Sequence, residues 1–511
     1  MKRFEILILP SAMLMFVTVW YLIQPWCQYN LDSDCVAYLT HANSAAYGDF
    51  QRSLNGLWSP LNGWLLIPFI RKGMDAWLAA QRLNAIIGMG VLWMSYLLLK
   101  EWIRSPKQLT GALLTLGIVL PVLCFYQMFG DLLSVFFLGI YLYILVRVKQ
   151  WKLFHTFLAA IIAGLAFYAK AYSVAWFGLH FFLFCTYLYV QKKWSLRQAL
   201  IHLFMAAFVV LVLILPWSIL LYQKYHHFSL TGHAGILNMS WFINSGKTFR
   251  EDIQLLIPPV CEGSPSFWED PYLSQEGDFS TPFSSGVHFL KWIRRILYNI
   301  ILLFGCLNEI HFLSWMILIL SVYVLYLRRE TFESKGWILI SAALTIPLGY
   351  LMVALETRYI WLEIPLLMIL GLFLINHYLN SKYKQVIVAL FFMGFLIYPM
   401  RCLDFMKDKN KSLFEAAARL KEQGIQGKIT SNATDAGSMW VIAYLSRCSF
   451  YTIEQTDYSI TALKKEMTRY KVKYFLQVNE NNLVANCSSD SSFQFVARLP
   501  GIDVFEYKGA D

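Results

Sequence analysis

Long apolar runs recur along most of the chain, and they restrict its fold more than any other feature. Eleven of them are candidate membrane spans, and 58% of the 511 residues are hydrophobic, which is more than one soluble core requires. The pattern predicts a polytopic α-helical membrane protein with about eleven transmembrane helices. The candidate spans cover residues 4–25, 83–99, 109–126, 132–146, 154–169, 172–190, 199–221, 312–327, 336–354, 360–376 and 385–400.

Basic residues stand in small groups between these runs. By the positive-inside rule, the connectors that carry them face the cytoplasm. The N-terminus is then cytoplasmic, whereas residues 26–82, 222–311 and everything beyond residue 401 lie on the outer face. The apolar stretch 289–307 is interpreted as an interfacial helix, because counting it as a span would reverse the connectors that follow. These connectors contain Lys100, Arg104, Lys107, Arg147, Lys149, Lys152, Lys192, Lys193, Arg197, Arg328, Arg329, Lys335, Lys382 and Lys384.

The basic groups form no continuous face, so the net charge of +11 does not indicate a nucleic-acid partner. The arrangement is typical of a multi-pass protein of the cytoplasmic membrane. Residues 1–403 form the predicted transmembrane domain, with its functional face built from the two outer loops.

The last part of the chain changes character and predicts a small extracytoplasmic α/β domain over residues 404–511. Helical periodicity covers residues 414–423 and 438–445, and strand-like segments cover 428–431 and 472–478. No glycine-rich phosphate loop occurs in it. Cys448 and Cys487 both fall in this outer region, so the sequence leaves a disulfide between them open.

An acidic segment, Asp32-Ser33-Asp34, lies just beyond the first predicted span. Asp34 precedes Tyr38 by four residues, so the two side chains share a face if this loop is helical. Both acids could instead be solvated loop residues. Their Asp-Ser-Asp spacing could also hold a divalent cation, although two acids without further oxygen ligands make a weak metal site. No Cys/His spacing typical of zinc is present, and no cofactor is implied.

Further motifs follow in an order that resembles the C-type glycosyltransferases, with the protein O-mannosyltransferase and aminoarabinose transferase families nearest. The likeness covers most of the membrane region and weakens in the C-terminal part. In aminoarabinose transferases a lysine precedes the proline that is here Pro60, and this chain has Ser59 instead, so no phosphate contact is implied there. The motifs are the acid Asp34 with Tyr38, the Gly48-Asp49 turn, Pro60-Leu61, Arg82 at the second span, Asp131 after Tyr126-Gln127-Met128-Phe129-Gly130, Gly164 to Lys170, Trp268-Glu269-Asp270-Pro271, and Glu356-Thr357-Arg358-Tyr359.

The resemblance implies transfer of a sugar from a polyprenyl-phosphate donor to an acceptor on the outer face. The acceptor class stays open between a protein, lipid A, a glycan and another lipid. Asp34 is then expected to be the general base, while Lys170 and Arg358 stabilise the departing lipid phosphate. Asp131 is expected either to take part in catalysis or only to cap its helix. The expected substrate-binding residues are Asp32, Tyr38, Arg82, Lys170, Asp270, Glu356, Arg358 and Tyr359.

Two other classes of function remain open from the sequence. A transporter or flippase of lipid-linked sugars would place charged residues near the bilayer midplane and often shows paired halves. A non-catalytic sensor of envelope lipids would not need Asp34. The acids of this chain cluster at one predicted rim and no paired halves are visible, which favours the transferase.

Overall fold

The computed structural model describes residues 2–230, 232–243, 255–274, 279–327, 336–380, 382–453, 458–478, 487 and 490–509. Ten helices come first along the chain. Side-chain caps fix several of their starts: the Asp75 carboxylate accepts the Leu78 N–H, and the Ser195 hydroxyl accepts the Gln198 N–H. The ten helices are α1 (Lys2–Cys27), α2 (Ser33–Ala46), α3 (Phe50–Ser53), α4 (Leu61–Arg71), α5 (Ala76–Leu99), α6 (Pro106–Tyr126), α7 (Asp131–Arg147), α8 (Leu153–Ala169), α9 (Tyr172–Val190) and α10 (Leu196–Tyr225).

The long outer loop and the second half of the membrane region follow. A short strand and a 3₁₀ turn, Phe267–Glu269, lie inside the outer loop. A second 3₁₀ turn, Thr357–Ile360, precedes the helix that begins at Glu363. The elements are α11 (Ala234–Ile243), β1 (Leu256–Ile257), α12 (Pro271–Ser274), α13 (Gly286–Ile310), α14 (Ser314–Leu327), α15 (Gly336–Thr345), α16 (Leu348–Leu351), α17 (Glu363–Tyr378), α18 (Lys384–Gly394) and α19 (Ile397–Met406).

Each of the eleven apolar segments coincides with a helix or with two consecutive helices. Among the described residues, six helical stretches are long and apolar enough to cross a membrane. The pair α13 and α14 passes the same test together but bends by 101° between the two helices. The chain is therefore a multi-pass membrane protein, while eleven spans remain a prediction. Arg328, Arg329 and Lys335, on which part of the predicted topology depends, lie outside the described residues.

Small residues let the membrane helices approach closely. A Cβ atom at Gly117 of α6 would lie 2.8 Å from the carbonyl oxygen of Ala12 in α1. A Cβ atom at Gly88 of α5 would clash with the Cys124 sulfur of α6. Because lipid tails are as apolar as the helices, tight van der Waals packing of this kind holds such bundles together.

The C-terminal part is an α/β unit. Its elements are α20 (Lys411–Glu422), β2 (Lys428–Ser431), α21 (Ala436–Ser446), β3 (Ser449–Ile453), α22 (Ile460–Tyr470), β4 (Tyr474–Val478), β5 (Phe493–Leu499) and β6 (Ile502–Tyr507). Together with β1 the strands form a sheet of order β1-β3-β2-β4-β6-β5. β2 pairs in parallel with β3 and β4, whereas β1, β5 and β6 pair antiparallel. The strands β2 and β4 and the helices α20 and α21 match the sequence prediction closely.

Two hydrophobic clusters cover the two faces of this sheet. One contains Leu420 of α20 and Ile442 of α21, and the other contains Leu463 of α22. Cys448 belongs to the first cluster and Cys487 to the second, and both are buried free thiols. The disulfide that the sequence left open does not form, because the sheet separates the two sulfur atoms.

The α/β unit rests directly on α2. The Asn43 side chain donates to the Tyr444 hydroxyl of α21 at 3.3 Å, and the Asn410 side chain donates to the Leu31 carbonyl at 2.7 Å. The predicted domain boundary at residue 403 falls inside α19, which ends at Met406. The part of the chain that carries Asp34 is therefore in contact with the C-terminal unit.

Candidate active site

A cavity of about 430 Å³ opens among α2, the loop after α3, the starts of α7 and α9, and the outer loop. Its walls combine aromatic rings with a few ionisable groups, which is the composition of a small-molecule site. Seven of the residues predicted from the sequence line it: Asp34, Tyr38, Asp131, Lys170, Glu356, Arg358 and Tyr359.

Asp34 enters the cavity from the first turn of α2. This helix begins there because the Asp32 carboxylate accepts the Cys35 N–H at 2.7 Å as an N-cap. The predicted helical spacing is confirmed, since Asp34 and Tyr38 both line the cavity. One Asp34 oxygen accepts the ring N–H of Trp268 at 3.1 Å, and the other lies 3.9 Å from the Arg358 guanidinium.

The environment of Asp34 raises its pKa to about 6. Burial is the largest cause, and the charge of Asp32 adds to it, whereas Arg358 and the Trp268 hydrogen bond act in the opposite direction. The Asp34 side chain is 30% exposed and lines the cavity, so protein shields it from bulk solvent while a ligand can still reach it. A carboxylate with such a pKa is suited to accept a proton near neutral pH.

Arg358 is held in the 3₁₀ turn before α17. Its guanidinium pairs with both oxygens of Glu356, at 2.7 Å and 3.2 Å, and its side chain is 15% exposed. Glu356 is 51% exposed, so this partner is the more accessible to solvent of the two. The Arg358 guanidinium also lies 5.2 Å from the centre of the Tyr359 ring.

Lys170 follows the last residue of α8 and extends over the Tyr359 ring, with its Nζ 3.8 Å from the ring centre. It forms an ion pair with Asp131, which is the first residue of α7 and is 5% exposed. The Asp131 side chain makes no capping hydrogen bond to α7, and a catalytic role for it stays a prediction. It stands at a helix N-terminus, and it holds a cation at the cavity wall.

A glycine brings these two helix ends together. Gly130 has φ +68° and ψ −42°, and a Cβ atom there would lie 2.8 Å from the Ala169 carbonyl oxygen. Tyr38 packs against the same turn, because its ring stacks on Phe129 with centres 4.5 Å apart.

We expect Gly130→Ala to lower the unfolding temperature and the activity together. The backbone conformation alone costs an L-residue about 1–3 kcal/mol, and the new methyl group would push against the turn that carries Lys170. Thermal unfolding of the purified protein in detergent measures the effect. Gly178→Ala is the matched control, because Gly178 lies in α9 with open space around its Cα. Equal unfolding temperatures for the two variants would contradict the prediction.

The loop of residues 57–59 lines another part of the cavity and is held by hydrogen bonds. The Asn55 side-chain oxygen accepts the N–H groups of Leu57 and Trp58, and the Ser59 hydroxyl accepts the Ala171 N–H at 3.2 Å. Ser59 thus fixes the turn beside Lys170 by a neutral hydrogen bond.

Two ion pairs anchor the outer loop next to the cavity. Arg52 binds both oxygens of Glu269 at 2.8 Å and 3.0 Å. Asp270 forms an ion pair with Lys224 and accepts a hydrogen bond from the Tyr225 hydroxyl, each at 2.8 Å. The structure therefore places Asp270 at a loop anchor and not among the residues that line the cavity.

Two other predicted binding residues also lie away from the cavity wall. Asp32 is a helix cap, and Arg82 is exposed on the surface of α5. Within the described ranges, no group of three or more His, Cys, Asp or Glu side chains could hold a metal ion. A cation at Asp34 would also have to compete with the Arg358 guanidinium.

The sequence did not single out several aromatic residues that build the cavity. Trp58, Trp241 and Tyr350 line it, and the Tyr350 ring stacks on Tyr359 at 4.6 Å. Trp268 was noticed only as part of a motif, whereas in the structure it contacts Asp34 directly. Aromatic residues are too frequent in this chain, at 17%, for their spacing to mark a site.

The helix arrangement, the outer-loop elements over the cavity and the C-terminal α/β unit define a class: the chain has the C-type glycosyltransferase fold. It is similar to the crystal structure of ArnT, an aminoarabinose transferase, from Cupriavidus metallidurans in the apo state. The TM-score is 0.58 at 13% identity, covering 97% of this chain and 98% of that one. The same protein bound to undecaprenyl phosphate gives a TM-score of 0.56 at 13% identity, covering 96% and 97%.

At this identity the likeness establishes the fold, and it confirms the resemblance that the order of the motifs suggested. No protein-family model matches the sequence, and no curated protein matches it either.

Proposed function

We propose that this protein is a glycosyltransferase that moves a sugar from a polyprenyl-phosphate donor to an acceptor hydroxyl at the outer face of the cytoplasmic membrane. One observation carries the proposal: a single cavity in a multi-pass membrane protein holds a carboxylate of raised pKa together with two cations. The fold supports it, because a structure of similar fold is bound to undecaprenyl phosphate.

Asp34 serves as the general base. An acceptor hydroxyl is a poor nucleophile, and the Asp34 carboxylate removes its proton as the hydroxyl oxygen attacks the anomeric carbon. The new C–O bond forms while the bond from that carbon to the phosphate oxygen breaks, so the anomeric centre is inverted. The proton ends on Asp34 and the electron pair on the lipid phosphate.

Lys170 and Arg358 stabilise the leaving phosphate. Negative charge grows on its oxygen as the bond breaks, and fixed cations in a shielded cavity favour this transition state over the ground state. The aromatic ring of Tyr359 lies next to both cations.

Glu356 is the carboxylate that the donor phosphate would displace. It lies against the Arg358 guanidinium, with an ion-pair distance of 2.7 Å and one hydrogen bond of 3.2 Å, and phosphate groups also bind guanidinium groups. Three carboxylates face two cations here, so an incoming phosphate would compete with them. Glu356 is the candidate because it is half exposed, whereas Asp131 is buried.

The test is turnover of a radiolabelled polyprenyl-phosphate sugar by the purified protein in nanodiscs, with a cell-envelope extract as acceptor. Label that moves into the extract supports transfer, and separating the extract into protein, lipid A, glycan and other lipid assigns the acceptor. An added chelator decides whether a divalent metal takes part. Donor that binds without any transfer of label would instead favour a transporter or a lipid sensor.

The pH dependence follows from the environment of Asp34. The base must be deprotonated, and its pKa is raised to about 6, so activity is retained above that pH and lost as the pH falls through it. We expect kcat/KM of the wild type to fall tenfold per pH unit well below pH 6, measured in the same assay at saturating acceptor. A rate that stays constant down to pH 4 would contradict the assignment of Asp34.

A further inference from the structure

Two tryptophans from distant parts of the chain stack beside Asp34. The rings of Trp268 and Trp440 lie 5.4 Å apart at an interplanar angle of 16°. Trp268 belongs to the 3₁₀ turn of the outer loop, and Trp440 belongs to α21 of the C-terminal unit. The ring N–H of Trp268 donates a hydrogen bond to Asp34 at 3.1 Å.

Trp440 is a rigid support for this stack. It is 9% exposed, and its own ring N–H donates to the Thr452 hydroxyl of β3 at 3.1 Å. The Phe267 ring packs edge-on against it, with centres 5.4 Å apart at 85°. The position of Trp440 is therefore fixed by the sheet of the C-terminal unit.

The same helix of the C-terminal unit also contacts the helix that carries Asp34. α21 packs along α2, and Tyr444 of α21 accepts the hydrogen bond from Asn43. The donor and the acceptor of the Trp268–Asp34 hydrogen bond thus rest on one element. α21 therefore links the C-terminal unit to both partners of that hydrogen bond.

We propose that the C-terminal unit positions the catalytic base: Trp440 fixes the ring of Trp268, and the Trp268 N–H fixes the orientation of the Asp34 carboxylate. This inference rests on the proposed transferase function. One carboxylate oxygen is then held, and the other is left facing Arg358 and the space for an acceptor. Trp268 and Trp440 are positioning residues, because they act through Asp34.

The hydrogen bond also favours the charged form of Asp34 against the groups around it. Asp32 on the same helix and Glu356 on the 3₁₀ turn disfavour the charge, whereas Arg358 favours it. Removal of the Trp268 N–H therefore shifts the balance towards the protonated acid.

The test is the pH profile of kcat/KM for Trp268→Phe, which keeps an aromatic ring for the stack and removes the N–H. We expect the acid limb to move up by about one pH unit, so that kcat/KM is about fivefold lower at pH 6 and within about twofold of wild type at pH 8.5. An unchanged midpoint in an active variant would overturn the proposal.

Variants of Trp440 test the role of the C-terminal unit itself. Trp440→Leu removes the stacking ring, and we expect its midpoint to move in the same direction as in Trp268→Phe. Trp440→Phe keeps a ring for the stack and is the matched control, with a midpoint shift smaller than that of Trp440→Leu. A Trp440→Leu protein that is folded, active and unshifted would refute the coupling.

Failure of this inference can be told apart from failure of the proposed function. A wild-type protein that transfers no sugar removes the function itself. A wild-type protein that is active, with Trp268→Phe and Trp440→Leu showing wild-type profiles, removes only the positioning role. If Trp440→Leu does not fold, the pH profile of Trp268→Phe still decides whether the Trp268 N–H positions Asp34.

Discussion

Asp34→Asn is expected to lower kcat by about 10²- to 10⁴-fold, because it replaces the general base by an amide that cannot accept the acceptor proton. The change is nearly isosteric, and the amide oxygen can still accept the Trp268 N–H. Binding of the donor is therefore expected to persist, since Lys170 and Arg358 are unchanged. Single-turnover transfer of labelled sugar, compared with binding of the labelled donor, separates the two quantities.

The matched control is the same change two residues earlier. Asp32→Asn keeps a good helix N-cap, since asparagine and aspartate cap equally well. It also removes a negative charge that raises the pKa of Asp34. We expect this variant to stay active, with its acid limb moved to lower pH. Equal loss of kcat in both variants would mean that Asp34 has no special role in the chemistry.

Lys170→Met is expected to have the second large effect, and it should act on both activity and stability. Loss of one cation at the leaving phosphate is expected to lower kcat by about 10²- to 10³-fold. Asp131 would be left buried without its partner, which costs about 3–5 kcal/mol of folding free energy. Transfer rate and thermal unfolding are measured on the same preparation.

A double variant separates these two effects. In Lys170→Met with Asp131→Asn, the buried charge is removed together with its partner, so stability is expected to return while activity stays low. Lys224→Met breaks a comparable ion pair, that with Asp270, outside the cavity. Its folded fraction is expected to keep a kcat close to that of wild type. Recovery of activity in the double variant would show that Lys170 is needed only to neutralise Asp131.

Much of the site was predictable because its residues mark the outer ends of predicted membrane helices. Once the spans are assigned, Asp34, Lys170 and Arg358 fall on one side of the membrane. Their order along the chain, read through the resemblance, then supplied the roles. The roles of Arg82 and Asp270 stay predictions, since the structure places both residues away from the cavity wall.

The contacts that sequence analysis missed join residues far apart along the chain. Trp268 and Asp34 are separated by more than two hundred positions, and Trp440 lies farther still. No local periodicity reports such a pairing. In the C-terminal unit β5 was missed for a local reason, since most of its residues are exposed or half-buried and give little alternation. Fewer helices count as membrane spans than the sequence predicted because some of them are short. The helices α7, α8 and α17 have only 17, 17 and 16 residues.

The strand β1 has a consequence for how the protein is assembled. It comes from the outer loop, yet it forms the edge of the C-terminal sheet by pairing Leu256 with Ile453. A fragment made of residues 404–511 alone would leave the edge of β3 without this partner, and unpaired strand edges promote aggregation. During synthesis β1 emerges long before the rest of its sheet. The C-terminal unit therefore cannot complete its sheet without the outer loop of the membrane part.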